Sequence, residues 1–251
     1  MVDHKMSTKS EGSFNRRSFL KLASTGSAVC ALSTSLLASS HPRNSAVDRW
    51  DILTIGNLSR NRYWGESDEK GLRSAICTST LVQVGDQRLI CDPSIRDADE
   101  MAHTLDRRTG LSPDEIQTVF VTHRHGDHYF GIEHFQQAEW YAAPPVAEIL
   151  NNNETLSRKV KPLEGTILDV IQIVPTPGHT MEHHGLLFTC DGMRVMLAGD
   201  SVPTRDFFKE RRGYYNVIDE EESARTMDWM KENVDIIVPG HDNYFLTANT
   251  P

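Results

Sequence analysis

Cysteine is scarce in this chain of 251 residues: four in all, with Cys30 near the N-terminus and Cys77, Cys91 and Cys190 beyond it. An odd count of three argues against a disulfide framework, even in an oxidising compartment. Cys77 and Cys91 fall on the two arms of an expected hairpin, with Cys91 opposite Thr80. That leaves Cys77 three residues out of register, too far to bridge at about 3.3 Å per residue. All three read as small buried hydrophobes with no catalytic part. Positive charge is short as well, with 26 Lys and Arg against 35 Asp and Glu and a net charge of −9. Residues 1–40 hold five basic and two acidic side chains, so the remainder carries −12. A body that acidic repels phosphate backbones and excludes nucleic acid as a general partner. No internal repeat or low-complexity tract extends the chain, and its length suits one well-packed α/β domain with little left for a second.

The first forty residues read as an address label. "NRRSFLKLAS" (15–24) pairs Arg16 with Arg17 ahead of a weakly apolar stretch reaching about Leu37. It resembles a bacterial twin-arginine export signal, with Asn15 where Ser or Thr is more usual. Ser24, Thr25, Ser27, Ser33, Thr34 and Ser35 interrupt the stretch and make it poor for permanent spanning, leaving an N-terminal anchor as the alternative. The expected organisation is a signal segment at 1–40, a linker at 41–47 and a catalytic domain at 48–251. The expected destination is the bacterial periplasm, reached through the twin-arginine translocation machinery.

Apolar runs and turn residues divide the rest into short elements. Strands are expected at 50–58, at 74–94 as a hairpin turning at Gly85-Asp86, at 118–122, 138–143 and 170–176, and at 185–200 as a hairpin turning at Asp191-Gly192. Helices are expected at 97–110, with Gly110 as its stop, in "PVAEILNNN", and at 220–234 ahead of a strand at 235–241. Hairpins mixed with strand–helix–strand units suggest two sheets sandwiched between outer helices.

Four polar clusters each follow an apolar strand: "VFVTHRHGDH", "IVPTPGHT", "VMLAGDS" and "DIIVPGHD". Strand ends are edges where distant segments can converge. In an extended segment, residues two apart point the same way, so His123 and His125 can grip one ion while Asp127 and His128 address another. Gly126 permits the tight path between them. Imidazole and carboxylate without thiolate suit zinc, with iron or manganese as alternatives.

H-x-H-x-D-H after a strand, then "TPGHT", "GD" after a hairpin strand and "PGH" near the end, together resemble the metallo-β-lactamase-fold superfamily from about residue 50 to 245. The resemblance implies an α/β fold, a four-layer αβ/βα sandwich of two mixed sheets. It implies two divalent metal ions, with zinc the first expectation. His123, His125 and His179 would hold one, Asp127, His128 and His241 the other, and Asp200 would bridge them. Aspartate at the bridging position is the pattern of the glyoxalase II, lactonase and phosphodiesterase relatives; the β-lactam-hydrolysing branch has cysteine there. The implied activity is a hydrolase in which a metal-bridging hydroxide attacks an ester, lactone or thioester carbonyl. The alternatives are a small-molecule phosphodiesterase and a non-haem iron oxidoreductase of the persulfide-dioxygenase kind. Asp127 and His183 are the candidate catalytic side chains, His183 acting beside a ligand or on substrate, with a surface histidine as the other reading. Asp92 matches the family's aspartate behind a ligand imidazole, or else simply turns the chain before Pro93.

The expected partner is a small-molecule substrate, anionic or amphipathic. That expectation comes from "SVPTRDFFKERRGYYN" (201–216), which places Arg205, Lys209, Arg211 and Arg212 among aromatics after Asp200. A solvated helix or lid is its plainer reading. Candidate substrate contacts are Tyr129, Arg205, Tyr214 and Tyr215. Pro203 stands where the similar lactonases carry a catalytic tyrosine, and Tyr214 or Tyr215 are the candidates to replace it. Tyr129 could instead pack in the core.

Overall fold

The structure is a computed structural model, and residues 46–152 and 156–247 are described. The signal segment expected at 1–40 and residues 41–45 of the expected linker lie outside the described residues. Two six-stranded sheets form the centre. The first runs β1 (Arg49–Thr54), β2 (Ser79–Val84), β3 (Gln87–Cys91), β4 (Thr118–Val121), β5 (Glu139–Ala142) and β6 (Lys161–Pro162), in that order. The second is ordered β12 (Phe245–Leu246), β11 (Ile236–Pro239), β10 (Met193–Gly199), β9 (His184–Cys190), β8 (Ile171–Pro175) and β7 (Thr166–Ile167). Hairpins supply the antiparallel pairs, and β3–β4, β4–β5, β5–β6 and β10–β11 are parallel, so both sheets are mixed.

Local chemistry accounts for most of the boundaries. The β2–β3 hairpin turns at Gly85 (φ +57°) and sets Thr80 opposite Cys91, as the register argument requires. The three cysteines are buried and free. Helix α1 (Ala98–Thr109) begins where the Asp97 carboxylate accepts the Glu100 N–H at 2.9 Å and ends at Gly110 in the left-handed region. Helix α2 (Pro144–Asn151) has proline in its first turn, and Asp219 caps α4 (Glu220–Asn233).

One continuous apolar core lies between the sheets, joining Leu81, Val119 and Phe120 of the first to Leu186, Val195 and Leu197 of the second. Met101 and Leu105 of α1 and Val146 and Leu150 of α2 extend it beyond the first sheet. A second cluster lies under α4, where Met227 and Met230 meet Leu187, Met196 and Ile237. This is the expected four-layer sandwich. Among the described residues no helix is long and apolar enough to cross a membrane.

Several boundaries differ from expectation. The strand expected at 50–58 stops at Thr54, and a single bridge between Asn57 and Ile76 continues the contact. The strand before the histidine cluster ends at Val121, so Thr122 and His123 belong to the loop. Strands β6, β7 and β12, of two residues each, were not anticipated, because no pattern is visible at that length. Residues 205–209 form a short helix, α3 (Arg205–Lys209), that buries Phe207 and Phe208.

Candidate metal centre

All four polar clusters meet at one edge of the sandwich. His123, His125 and His128 follow β4, His179 follows β8, Asp200 follows β10 and His241 follows β11. Donor atoms of His123, His125, His179 and Asp200 all lie within 4.8 Å of one another, as do those of Asp127, His128 and His241. Asp200 faces both groups. Its Oδ2 lies 3.2 Å from His179 Nε2 and 3.9 Å from His123 Nε2. Its Oδ1 lies 3.1 Å from His128 Nε2 and 3.0 Å from His241 Nε2. Asp127 completes the second group, 3.6 Å from His241 Nε2.

The proton inventory shows whether these residues suit cations. Asp92 Oδ2 lies 2.8 Å from His128 Nδ1, which puts a proton on Nδ1 and turns Nε2 inward. Burial opposes charge on this ring, yet without a metal the surrounding carboxylates raise it well above the ordinary imidazole value. Thr122 donates its hydroxyl proton to the same Oδ2 at 2.8 Å. Thr122 Oγ1 can therefore only accept from His123 Nδ1, 3.1 Å away, and His123 Nε2 is a bare lone pair. The backbone carbonyls of Ile76 (2.9 Å) and Asn57 (3.1 Å) take the Nδ1 proton of His241 and turn its Nε2 inward. His125 Nδ1 sits 3.0 Å from His123 Nε2 and 2.9 Å from His179 Nε2. Converging lone pairs repel unless a cation or a proton lies among them. Asp200 Oδ1 and His128 Nε2, although close, lack hydrogen-bond geometry and are buried with no hydrogen-bond partner. Unpaired buried donors and acceptors of this kind are costly, and this set fits two divalent cations.

Burial shapes the ionisation of the same rings. It holds His123 well below the ordinary imidazole value, lowers His125, and brings His179 down to about 4. These three rings are neutral at neutral pH, the form that binds metal. Burial also opposes charge on His241, but the Asp200 carboxylate outweighs it and raises that ring. The Cys77 thiol, close to Asp92 and His128, is pushed up by burial to about 12 and remains a neutral donor toward the Asp92 carbonyl at 3.5 Å.

Asp92 does more than turn the chain. Its backbone is left-handed (φ +52°), and its Oδ1 accepts the Thr122 N–H at 2.8 Å, so one carboxylate holds the loop and two ligand rings. Asp92→Asn would put an amide donor against one of those groups. The expected result is metal affinity about 10- to 100-fold weaker, measured by competition with a chromophoric chelator.

His183 is fully buried, which removes the surface reading. Its Nδ1 lies 2.7 Å from Thr176 Oγ1, its ring stacks on His123 at 4.8 Å, and its Nε2 has no partner. It backs the first group of ligands from behind. Tyr129 is half-buried against the main core. The Tyr214 hydroxyl lies 2.8 Å from Ser59 Oγ and 3.3 Å from the Arg60 carbonyl, and that of Tyr215 bonds Arg62 and Asp68. Both tyrosines tie the 205–216 segment to residues 59–68. Arg205 bonds Asp242 through its backbone N–H at 3.3 Å. Half of the charge expected of this segment is paired: Arg211 with Asp228, and Arg212 at 3.2 Å from Glu220, while Arg205 and Lys209 make no ion pair among the described residues. Thr122, Thr176 and the carbonyls of Asn57 and Ile76 were missed from sequence, and the carbonyls have no sequence signature at all.

A family model described as the metallo-beta-lactamase superfamily matches residues 73–241. An N-acyl homoserine lactonase of a Bacillus species is 27% identical over 164 residues, 60% of this chain and 65% of the relative. The chain thus spans about 65% of the length of that relative. Among solved structures, a variant of the B. thuringiensis protein AiiA with N-decanoyl-L-homoserine at its active site is similar with a TM-score of 0.63. It is 20% identical, over 78% of this chain and 94% of that one. AidC, a dizinc quorum-quenching lactonase in complex with a product, has a TM-score of 0.55 at 15% identity, over 66% of this chain and 72% of its own. At such identities the structural likeness concerns the fold.

Proposed function

From the chain's place as a member of the metallo-β-lactamase superfamily, a group whose relatives here are hydrolases, we propose a dinuclear metal-dependent hydrolase that cleaves an ester, lactone or thioester. The observation that carries this reading is Asp200, a single buried carboxylate with one oxygen turned to each donor group. His123, His125 and His179 with Asp200 would hold one ion, and Asp127, His128 and His241 with Asp200 the other. Zinc is the metal proposed. Bound there, two divalent cations supply Lewis acidity toward a carbonyl oxygen and acidify water enough to provide a nucleophile at neutral pH.

The chain's own residues supply the frame. Asp92 and Thr122 keep two rings in the tautomer whose lone pair points inward, and Ile76 and Asn57 do so for His241. Such fixed dipoles need no reorganisation during a reaction. Arg124 and Glu182, paired at 2.6 Å, brace the loops that carry His125 and His179. The phosphodiester alternative keeps only part of its support, because two of the four basic residues it drew on, Arg211 and Arg212, are held by carboxylates of α4.

Purified protein should contain about two metal ions per chain and hydrolyse members of an ester, lactone and thioester panel. A chelator should abolish that activity and added zinc restore it. Activity that survives chelation would sink the reading, and iron with oxygen consumption would point to the oxidoreductase alternative. We further propose that the chain is exported through the twin-arginine route, on the strength of Arg16 and Arg17. Changing both to lysine should leave the protein in the cytoplasmic fraction; unchanged fractionation would refute the proposal.

A further inference from the structure

A cleft of about 1220 Å3 runs between α1 and β1. No proposed metal ligand lines it, yet it shares walls with the metal centre. Ile76, in its lining, accepts the His241 Nδ1 proton through its carbonyl. Phe130, also in the lining, packs its ring on Gly126 of the metal-binding loop so closely that a Cβ there would meet it at 2.6 Å.

Two features of the cleft await a partner. The Arg96 guanidinium lies over the Phe130 ring, 3.2 Å from its centroid, and makes no ion pair or side-chain hydrogen bond among the described residues. Stacking holds the planar group in place through its face and leaves the in-plane N–H edge free for a carboxylate. The second feature is Ser94, 3% exposed, whose hydroxyl is buried in the same wall without a hydrogen-bond partner, as is that of Thr54.

The charge balance favours an anion. Of the carboxylates in the lining, Asp51 is held by Arg49 at 2.8 Å, and Asp97 is turned onto its own helix as the cap of α1. Only Glu100 is left uncompensated, against Arg96, Arg107 and Arg108, none of which has an acidic partner among the described residues. Ile52, Ile55 and Ile76 supply apolar surface beside these charges.

We propose that this cleft is a specificity site for the acyl part of the substrate, an apolar body ending in a carboxylate that Arg96, held on Phe130, receives beside Ser94. The assignment rests on the hydrolase reading and narrows it to carboxylate-bearing esters, lactones or thioesters. The basic lining that sequence reading placed at 205–212 is thereby moved to the α1 side of the site.

The test compares the mono-4-nitrophenyl ester of adipic acid with 4-nitrophenyl hexanoate on the intact, metal-containing protein. The adipate ester should be favoured in kcat/KM by about tenfold or more, chiefly through KM, since hydrogen bonds to a charged group carry roughly a 10- to 100-fold effect. Arg96→Gln should erase most of that preference, and Arg96→Lys, which keeps the charge but loses the fork, should recover only part of it. A parallel calorimetric titration uses hexanoate against hexanol, and hexanoate binding should weaken several-fold in Arg96→Gln. Preference and hexanoate affinity both unchanged in Arg96→Gln would overturn the assignment while leaving the hydrolase reading intact. If hexanoate binding still depends on Arg96 but neither ester, nor any lactone or thioester of the panel, is hydrolysed, the cleft stands as a carboxylate site and the hydrolase reading, with the acyl role of the cleft, falls.

Discussion

Asp200→Asn should reduce the metal content of the purified protein from about two ions per chain to one or fewer and lower kcat/KM by about a thousandfold. The change keeps the shape of the side chain and alters only charge and donor pattern. One of its two inward atoms becomes an N–H donor, pointed either at His128 and His241 or at His179 and His123, whose inward nitrogens would have to face a cation. Whichever way the amide turns, one group loses its anionic ligand. Removing a single preorganised group aimed at developing charge costs roughly 100- to 1000-fold, and this substitution also empties an ion site. Asp200 is 5% exposed, and in the metal-free protein its carboxylate faces His128 and His241 at 3.1 and 3.0 Å, so the variant gives up that attraction as well as the ions. Melting curves of the metal-free variant and metal-free wild type separate the two effects: the loss of metal and activity should far exceed what the unfolded fraction at the assay temperature accounts for. Two ions retained at full activity would show that Asp200 does not join the sites.

The second large effect is expected from a residue that touches no metal. Gly240→Ala should lower kcat/KM about 100-fold and release at least part of the bound metal. A Cβ at Gly240 would lie 2.1 Å from Asp200 Oδ1 and 2.9 Å from the carbonyl carbon of Gly199. No real carbon tolerates that approach, so either the carboxylate turns or the 239–241 segment backs away and takes His241 with it. Misplacement of about 1 Å is enough for a loss of this size. Overpacking of this kind costs about 1–3 kcal/mol, which lowers the melting temperature by roughly 2–12 °C in a domain of this size. Metal content and activity should thus fall far more than stability. A Gly240→Ala protein with both ions and normal turnover would mean that the loop relaxes without moving Asp200. The glycine of "PGH" is thus placed by contact with a ligand rather than by backbone freedom.

These two residues show where sequence reading stops. Asp200 was legible as a candidate ligand, and its convergence with the histidines expected, because its type, its place after an apolar hairpin strand and its order among the histidines all carried the signal. Gly240 was legible only as part of a motif, since the atom that excludes a Cβ belongs to a strand-end residue 40 positions earlier. The hairpin turns at Gly85 and Gly192 and the caps of α1 were readable because each depends on residues within a few positions. The two-residue strands were not, because they exist only through the partner beside them.

The 205–212 segment shows the same limit for electrostatics. Its basic residues suggested a surface for an anion, yet two of them, Arg211 and Arg212, have partners, Asp228 and Glu220, on a helix whose position a linear pattern does not reveal. Arg96 gave no such signal, although it stays unpaired on Phe130 beside a cleft.

Sequence alone determined the sheet and helix periodicities, the caps and turns, and the inventory of histidines and aspartates at strand ends, because each is written in residue types at short range. Tertiary structure decided which nitrogen of each ring faces inward, which charges are cancelled and which remain open to a ligand. Those outcomes depend on backbone carbonyls and on side chains brought together from distant segments. A carbonyl is the same in every residue, and a charge reveals its partner only after the chain has folded.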